Sequence, residues 1–261
     1  MKVHHFNCGT MRLPGIKLVC HVLLVETDSG LVLVDTGFGL GDIADPGHRI
    51  GNYRWFARPA LQPAQTALRR LENLGYHRAD VRHIALTHLD VDHIGGVSDF
   101  PGATVHVTQA EVQAMRAPRT LIERARYRHS RWILDAPLVE HDPTGEPWHG
   151  FPQAHELTEI SSGIALIPLP GHSRGHTAVA VDAGHRWIIH AGDAAYLHST
   201  LDRTGSTPLA LALQERMTTH NLDQLRESRR RLAELHQRHD PTLTIVTSHD
   251  PELLAHARDT A

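Results

Sequence analysis

The chain has 261 residues, a formal net charge of −3 and an isoelectric point of about 6.8, so charge makes no case for a nucleic-acid partner. No stretch is long and apolar enough to read as a membrane span or a signal peptide, and two cysteines (Cys8 and Cys20) are too few for a disulfide framework. At this length a single core is the expectation, which gives one domain over residues 1–261 and a cytoplasmic location.

Val3–Cys8, Lys17–Thr27 and Leu31–Asp35 read as strands, and Asp28-Ser29-Gly30 joins the last two as an antiparallel hairpin. Cys20 falls in an apolar run and reads as a buried thiol, whereas Cys8, in Asn7-Cys8-Gly9 at a strand end, is the one open to exposure. Periodicity fails from residue 38 to 63, where glycines and prolines mix with Tyr53, Trp55 and Phe56. Such a loop is either a lid over a site or a surface loop packing its own aromatics. Gln65–Leu74 has helical spacing and stops at Gly75. Val81–Leu86 is a strand, Val97–Phe100 a turn and Thr104–Val107 a further strand. Gln109–Met115 and Leu121–Arg126 read as helices, and the arginines clustered at Arg116–Arg131 and Arg226–Arg231 as solvated helix faces. Tyr127–Phe151, rich in proline and holding Trp132 and Trp148, shows no regular pattern, and the segment near 116–155 is a second lid candidate. Strands follow at Ile164–Leu169, Ala178–Asp182, Arg186–His190 and Leu243–Val246, with helices at Leu209–Met217, at Leu222–His239 and after Pro251.

One stretch concentrates the chemistry. In Thr87-His88-Leu89-Asp90-Val91-Asp92-His93-Ile94-Gly95-Gly96, four potential metal ligands fall within six residues just after an apolar strand. Histidine is abundant here (23 residues), so one histidine alone means little. The pattern recurs, however. Apolar strands end in His or Asp at Asp35, at His172, at Asp193 and at His249. Ends of strands along one sheet edge converge in space even when they are distant in sequence.

These motifs resemble those of the metallo-β-lactamase superfamily. The match runs from Leu31-Val32-Leu33-Val34-Asp35-Thr36-Gly37, through the His88–His93 cluster and Pro170-Gly171-His172-Ser173-Arg174-Gly175-His176-Thr177, to Ala191-Gly192-Asp193-Ala194 and Ser248-His249-Asp250. The resemblance implies an α/β fold, an αββα sandwich of two mixed β-sheets flanked by helices, with a dinuclear metal site along one edge. It implies that His88, Asp90 and His172 hold one metal, that Asp92, His93 and His249 hold the other, and that Asp193 bridges them. Asp35 and His176 match positions that orient ligands. Asp90 departs from the pattern, because the family's usual residue there is histidine. A carboxylate hardens that site, so zinc is the expected metal overall and iron or manganese a candidate beside Asp90.

Tyr196, three residues after Asp193, resembles the tyrosine that meets the substrate carbonyl in N-acyl-homoserine lactonases of the superfamily. The implied activity is a metal-dependent hydrolase in which a metal-bridged hydroxide opens an ester or lactone. Tyr196 would stabilise the oxyanion and Asp92 would pass a proton to the leaving alkoxide. The implied partner is a small ester or lactone, with no nucleic acid and no membrane. The same residues admit two other readings: a non-heme iron redox enzyme of the same fold, suggested by the acidic residue at position 90, and a non-catalytic metal-binding or ligand-sensing module.

Overall fold

β2 (Ile16–Thr27) and β3 (Gly30–Val34) carry the apolar runs Val22–Val25 and Leu31–Val34, buried throughout, as expected of strands covered on both faces. Period-2 alternation then sorts them. Val22, Leu24, Leu31 and Leu33 face outward onto Leu68, Leu71, Val112 and Met115 of the flanking helices. Leu23, Val25, Val32 and Val34 face inward onto Leu166, Val179, Val181 and Ile188 of a second sheet. That inner apolar layer holds the sandwich together. The computed structural model describes residues 1–202 and 207–260.

The first sheet has the order β1-β2-β3-β4-β5-β6, with β1 at Lys2–Leu13, β4 at Val81–Ala85, β5 at Thr104–Thr108 and β6 at Leu138–His141. Pairing is antiparallel from β1 to β3 and parallel from β3 to β6. The second sheet runs β12-β11-β10-β9-β8-β7. Its strands are β7 (Glu146–Trp148), β8 (Phe151–Glu156), β9 (Ile164–Pro168), β10 (Thr177–Asp182), β11 (Trp187–His190) and β12 (Leu243–Val246). Only β11 and β12 pair in parallel there. The helix Leu222–His236 lays Leu232 and Leu235 on the outer face of this sheet, against Ile167, Ala180 and Ile245. The αββα sandwich of two mixed sheets is the expected architecture. Among the described residues, no helix is long and apolar enough to cross a membrane.

The parallel pairs β3/β4 and β11/β12 all end at the same edge, and cross-links fix that edge. Asp35 N–H donates to Ala85 O (3.0 Å), Ala191 N–H to Val246 O (2.8 Å) and Ser248 N–H to Gly192 O (3.2 Å). The two sheets are tied there as well, by His21 N–H to Ser248 O (2.8 Å) and Thr177 N–H to Thr87 O (3.0 Å).

Three sequence expectations need correction. Residues 38–63 are not irregular but contain the short helices Leu40–Ala44, Pro46–Arg49 and Tyr53–Ala57. Each is too short to display a period. The segment 127–151 supplies β6 and β7, of four and three residues, at the outer edges of the two sheets, where brevity and polar residues hide the strand pattern. Cys8 is not at a strand end. It is buried within β1 beside a bulge between Asn7 and Thr10, and burial pushes its thiol pKa up to about 12.

Candidate metal centre

Each donor at this edge is aimed by a partner behind it. Asp35 follows β3 with φ +56, a left-handed conformation that aspartate tolerates better than most side chains. Its buried carboxylate accepts from Thr87 N–H, Thr87 Oγ1 and His93 Nδ1, all at 2.8 Å. His93 therefore presents Nε2 to the site. His249 donates Nδ1–H to Val19 O (2.8 Å), which aims its Nε2 the same way. His176 Nε2 accepts from Asp193 N–H (2.9 Å) while its Nδ1–H donates to Leu169 O (3.0 Å). Asp35 and His176 thus orient donors from behind, as the motif comparison implied. Gly192 allows the approach of His176: its φ is +55, and a Cβ there would lie 2.6 Å from His176 Nε2.

All the predicted site residues meet. Asp193 Oδ1 lies 3.3 Å from His93 Nε2 and 3.1 Å from His249 Nε2, while Oδ2 lies 3.6 Å from His172 Nε2 and 3.9 Å from His88 Nε2. Asp92 Oδ2 joins the first pair, 3.7 Å from His249 Nε2 and 3.9 Å from His93 Nε2. Asp90 Oδ2 joins the second, 3.4 Å from His88 Nε2 and 3.2 Å from His172 Nε2. His88 Nε2, His93 Nε2, Asp90 Oδ1 and Asp193 Oδ1 are buried and have no hydrogen-bond partner among the described residues. Such atoms are costly unless a cation takes them, so the donor set fits a metal site. Tyr196 stands over the second pair, its hydroxyl 3.5 Å from His172 Nδ1.

The two clusters differ in charge. Burial alone would lower the pKa of His93, yet Asp193, Asp35 and Asp92 hold it well above the ordinary imidazole value. His249 is raised against its burial by Asp193 and Asp92. This half of the site has carboxylates in excess and draws positive charge. In the other half, burial and Arg126 lower His172 to about 4. Burial opposes charge on Asp90, but Arg126 and His88 hold its carboxyl well below the usual range.

Arg126 is the residue that the sequence misassigned. It was grouped with solvated arginines, but its side chain is only 5% exposed and its Nη1 pairs with Asp90 and stands 2.9 Å from His172 Nε2. Its Nη2 donates to His172 O (3.0 Å) and Thr218 O (2.5 Å). Helical position alone could not reveal this, because Arg126 ends a six-residue helix whose burial depends on contacts from Asp90 and Thr218. Glu111 was also missed. Fully buried, it accepts from Leu89 N–H (3.2 Å), Tyr127 Oη (2.8 Å), Ser173 Oγ (2.7 Å) and Gly175 N–H (2.9 Å), tying the His88 loop to the His172 loop. Cys20, expected to be a plain buried thiol, has its Sγ within 4.8 Å of donor atoms of Asp92 and His249. Burial and the Asp92 charge push its pKa well up, which keeps it a neutral thiol.

The cluster forms the floor of a cavity of about 520 Å³. Tyr53, from the first lid candidate, lines it and donates to Asp92 Oδ2 (3.3 Å), but Trp55 and Phe56 do not line it and are 69% and 41% exposed. From the second candidate, Leu121, Ile122 and Ala125 form part of the wall. Its tryptophans lie elsewhere. Trp132 packs under Arg49, 3.4 Å from guanidinium carbon to ring centroid, and Trp148 packs against Trp187.

The sequence model described as the Metallo-beta-lactamase superfamily matches residues 15–249. The chain belongs to that superfamily. Among curated members it is 57% identical to a probable metallo-hydrolase of Mycobacterium tuberculosis, over all of this chain and 84% of the relative. It is 25% identical to the N-acyl homoserine lactonase AttM of Rhizobium radiobacter, over 97% of this chain and 90% of that one. Among solved superfamily structures, an N-acyl homoserine lactone hydrolase with the product N-hexanoyl-L-homoserine at its catalytic metal centre superposes with a TM-score of 0.68. That pair is 20% identical and covers 96% of this chain and 94% of the other. The dizinc quorum-quenching lactonase AidC gives 0.58 at 20% identity, over 90% and 74%.

Two outcomes are expected of this arrangement. Replacing Glu111 with alanine strands four buried donors, so chemical denaturation should show a loss of about 3 kcal/mol or more. Arg126→Met leaves the Asp90 charge uncompensated and should cost about 3–5 kcal/mol in the presence of a chelator. Part of that loss should return on adding zinc if Asp90 is a ligand. An equal loss with and without zinc, read by thermal melting, would remove Asp90 from the ligand set.

Proposed function

We propose that the chain is a metal-dependent hydrolase that opens a lactone or ester bearing an apolar acyl group, with N-acyl homoserine lactones as the substrate class to test first. The observation that carries the reading is Asp193, whose carboxylate lies on the floor of an open cavity among four imidazoles: His93 near Oδ1, His172 and His88 near Oδ2, and His249 within reach of both oxygens (3.1 and 3.2 Å). His93, His249 and Asp92 would hold one divalent metal and His88, His172 and Asp90 the other, zinc being the first choice for this nitrogen and oxygen set. Bound there, the pair would supply a water nucleophile usable near neutral pH and Lewis acidity toward a carbonyl oxygen.

The chain's own groups do the rest. Ile50, Val91, Leu121, Ile122 and Met217 give the cavity apolar walls above a polar floor, which suits an acyl chain carrying a lactone head. Burial and the Asp193 charge raise the phenol pKa of Tyr196 well above its usual value, so Tyr196 keeps its proton and can donate a hydrogen bond to a developing oxyanion. Asp92, held by the Tyr53 hydroxyl, is placed to pass a proton to the leaving alkoxide. The superfamily membership and the similarity to lactonases support this reading.

The test is metal quantification by mass spectrometry joined to a pH-drop assay on lactones of graded acyl length. Two metals per chain and turnover that improves as the acyl chain fills the cavity are expected. Asp193→Ala should abolish turnover, and Tyr196→Phe should lower kcat by about 100-fold. Full activity of Asp193→Ala would overturn the assignment.

A further inference from the structure

Histidines also gather at a second place, which shares no residue with the site above. On the inner face of the first sheet, Val25, Val32, Val34 and Ala85 form an apolar layer. Across the parallel strands β4, β5 and β6 that layer gives way to imidazoles: His83, His106 and His141. The register explains why they share a face. Val105 and Val107 point into the outer core, so His106 between them points inward. His83 and Ala85 flank the outward Ile84, and Ala85 pairs with His106. On β6, Thr108 of β5 pairs with His141. Glu159, from the connection between β8 and β9, reaches over them with its side chain 44% exposed.

We propose that His106, His141 and Glu159 form a separate binding site for a divalent transition metal of the zinc class, joining the edge of the first sheet to the connection that covers it. The three donor atoms are His106 Nδ1, His141 Nε2 and a Glu159 oxygen, at mutual distances of 3.0, 3.6 and 3.5 Å. Metal–ligand bonds of about 2.0–2.2 Å in tetrahedral geometry put donors roughly 3.3–3.5 Å apart. The side chains therefore stand close to a tetrahedral face already. Two imidazoles and one carboxylate are a zinc-type set, not a magnesium or calcium set, and a water would complete it on the exposed side of Glu159.

The tautomers agree with this assignment. A metal on His106 Nδ1 requires the proton on Nε2, and Nε2 lies 3.0 Å from His83 Nδ1, which can accept it. An outer partner of this kind fixes the ring and raises its basicity. The imidazoles are also kept unprotonated. Burial, with His141 and His83 nearby, lowers His106 to about 3, and burial lowers His83 and His141 as well. Two buried imidazoles and their partly buried neighbour would otherwise replace apolar side chains at a cost in desolvation.

The test counts and titrates zinc on the full chain after chelator stripping, using a chromophoric competitor and mass spectrometry, in wild type and in Glu159→Ala. Glu159 is exposed and makes no contact with the catalytic cluster, so this variant should fold and keep its hydrolytic activity. It should bind one zinc fewer per chain than wild type, with affinity at this site reduced by more than about 100-fold. His83→Ala, which removes only the outer partner, should weaken the same site by about 10–100-fold. An unchanged zinc count and affinity in Glu159→Ala would overturn the proposal. Because the readout is the difference of one zinc between variant and wild type, it stands apart from whether lactones are the substrate.

Discussion

The centre depends on one carboxylate. Asp193 is buried just past β11, and its carboxylate meets four imidazoles drawn from three other segments, the His88–His93 loop, His172 and His249. Burial opposes its charge, yet His249 and His93 keep it ionised. A buried anion of this kind cannot remain without compensation, and two of the imidazoles beside it, His88 and His93, present Nε2 atoms with no hydrogen-bond partner among the described residues. The backbone is built to tolerate this: Gly192 lets His176 approach, and His176 in turn receives the Asp193 N–H. Strand order brings β3, β4, β11 and β12 to one edge, and the hydrogen bonds between their ends remove the freedom that would let the cluster spread.

The two halves of the centre are compensated differently. Around His93 and His249 the carboxylates outnumber fixed cations, which raises both imidazole pKa values and attracts a metal. Around His172 the chain provides its own cation, Arg126, paired with Asp90. A histidine at position 90 would need no such partner, so the carboxylate and the guanidinium are best understood together. Arg126 also enters the cavity wall beside Leu121 and Ile122, so the cavity carries a fixed positive charge next to the cluster.

The aromatic residues of the two lid candidates mostly lie away from the cavity, whose apolar walls are aliphatic. Tyr53 is the exception, and it reaches the floor as a hydrogen-bond donor to Asp92. Trp132 and Trp148 contribute to packing at a distance from the cavity, on Arg49 and on Trp187. Bulky aromatics in a proline-rich segment indicate buried area but not which surface they bury.

What the sequence by itself determined follows from periodicity and from local motifs. The apolar runs of β2, β3, β9, β10 and β11 are buried on both faces, so their strand character shows without any partner. The His88–His93 cluster and the strand-end His172, Asp193 and His249 stand in a recognisable order, so the site's membership was legible before the fold. The tertiary structure alone decided Arg126, Glu111 and the imidazoles of β4 to β6. Each of these is a polar side chain whose meaning lies in a neighbour far away in the chain: Asp90 and Thr218 for Arg126, Leu89 and Gly175 for Glu111, and Glu159 for His106 and His141. A charged residue on a short helix looks the same in sequence whether it meets water or a buried carboxylate. Desolvation and pairing separate the two cases, and both arise only when the chain has folded.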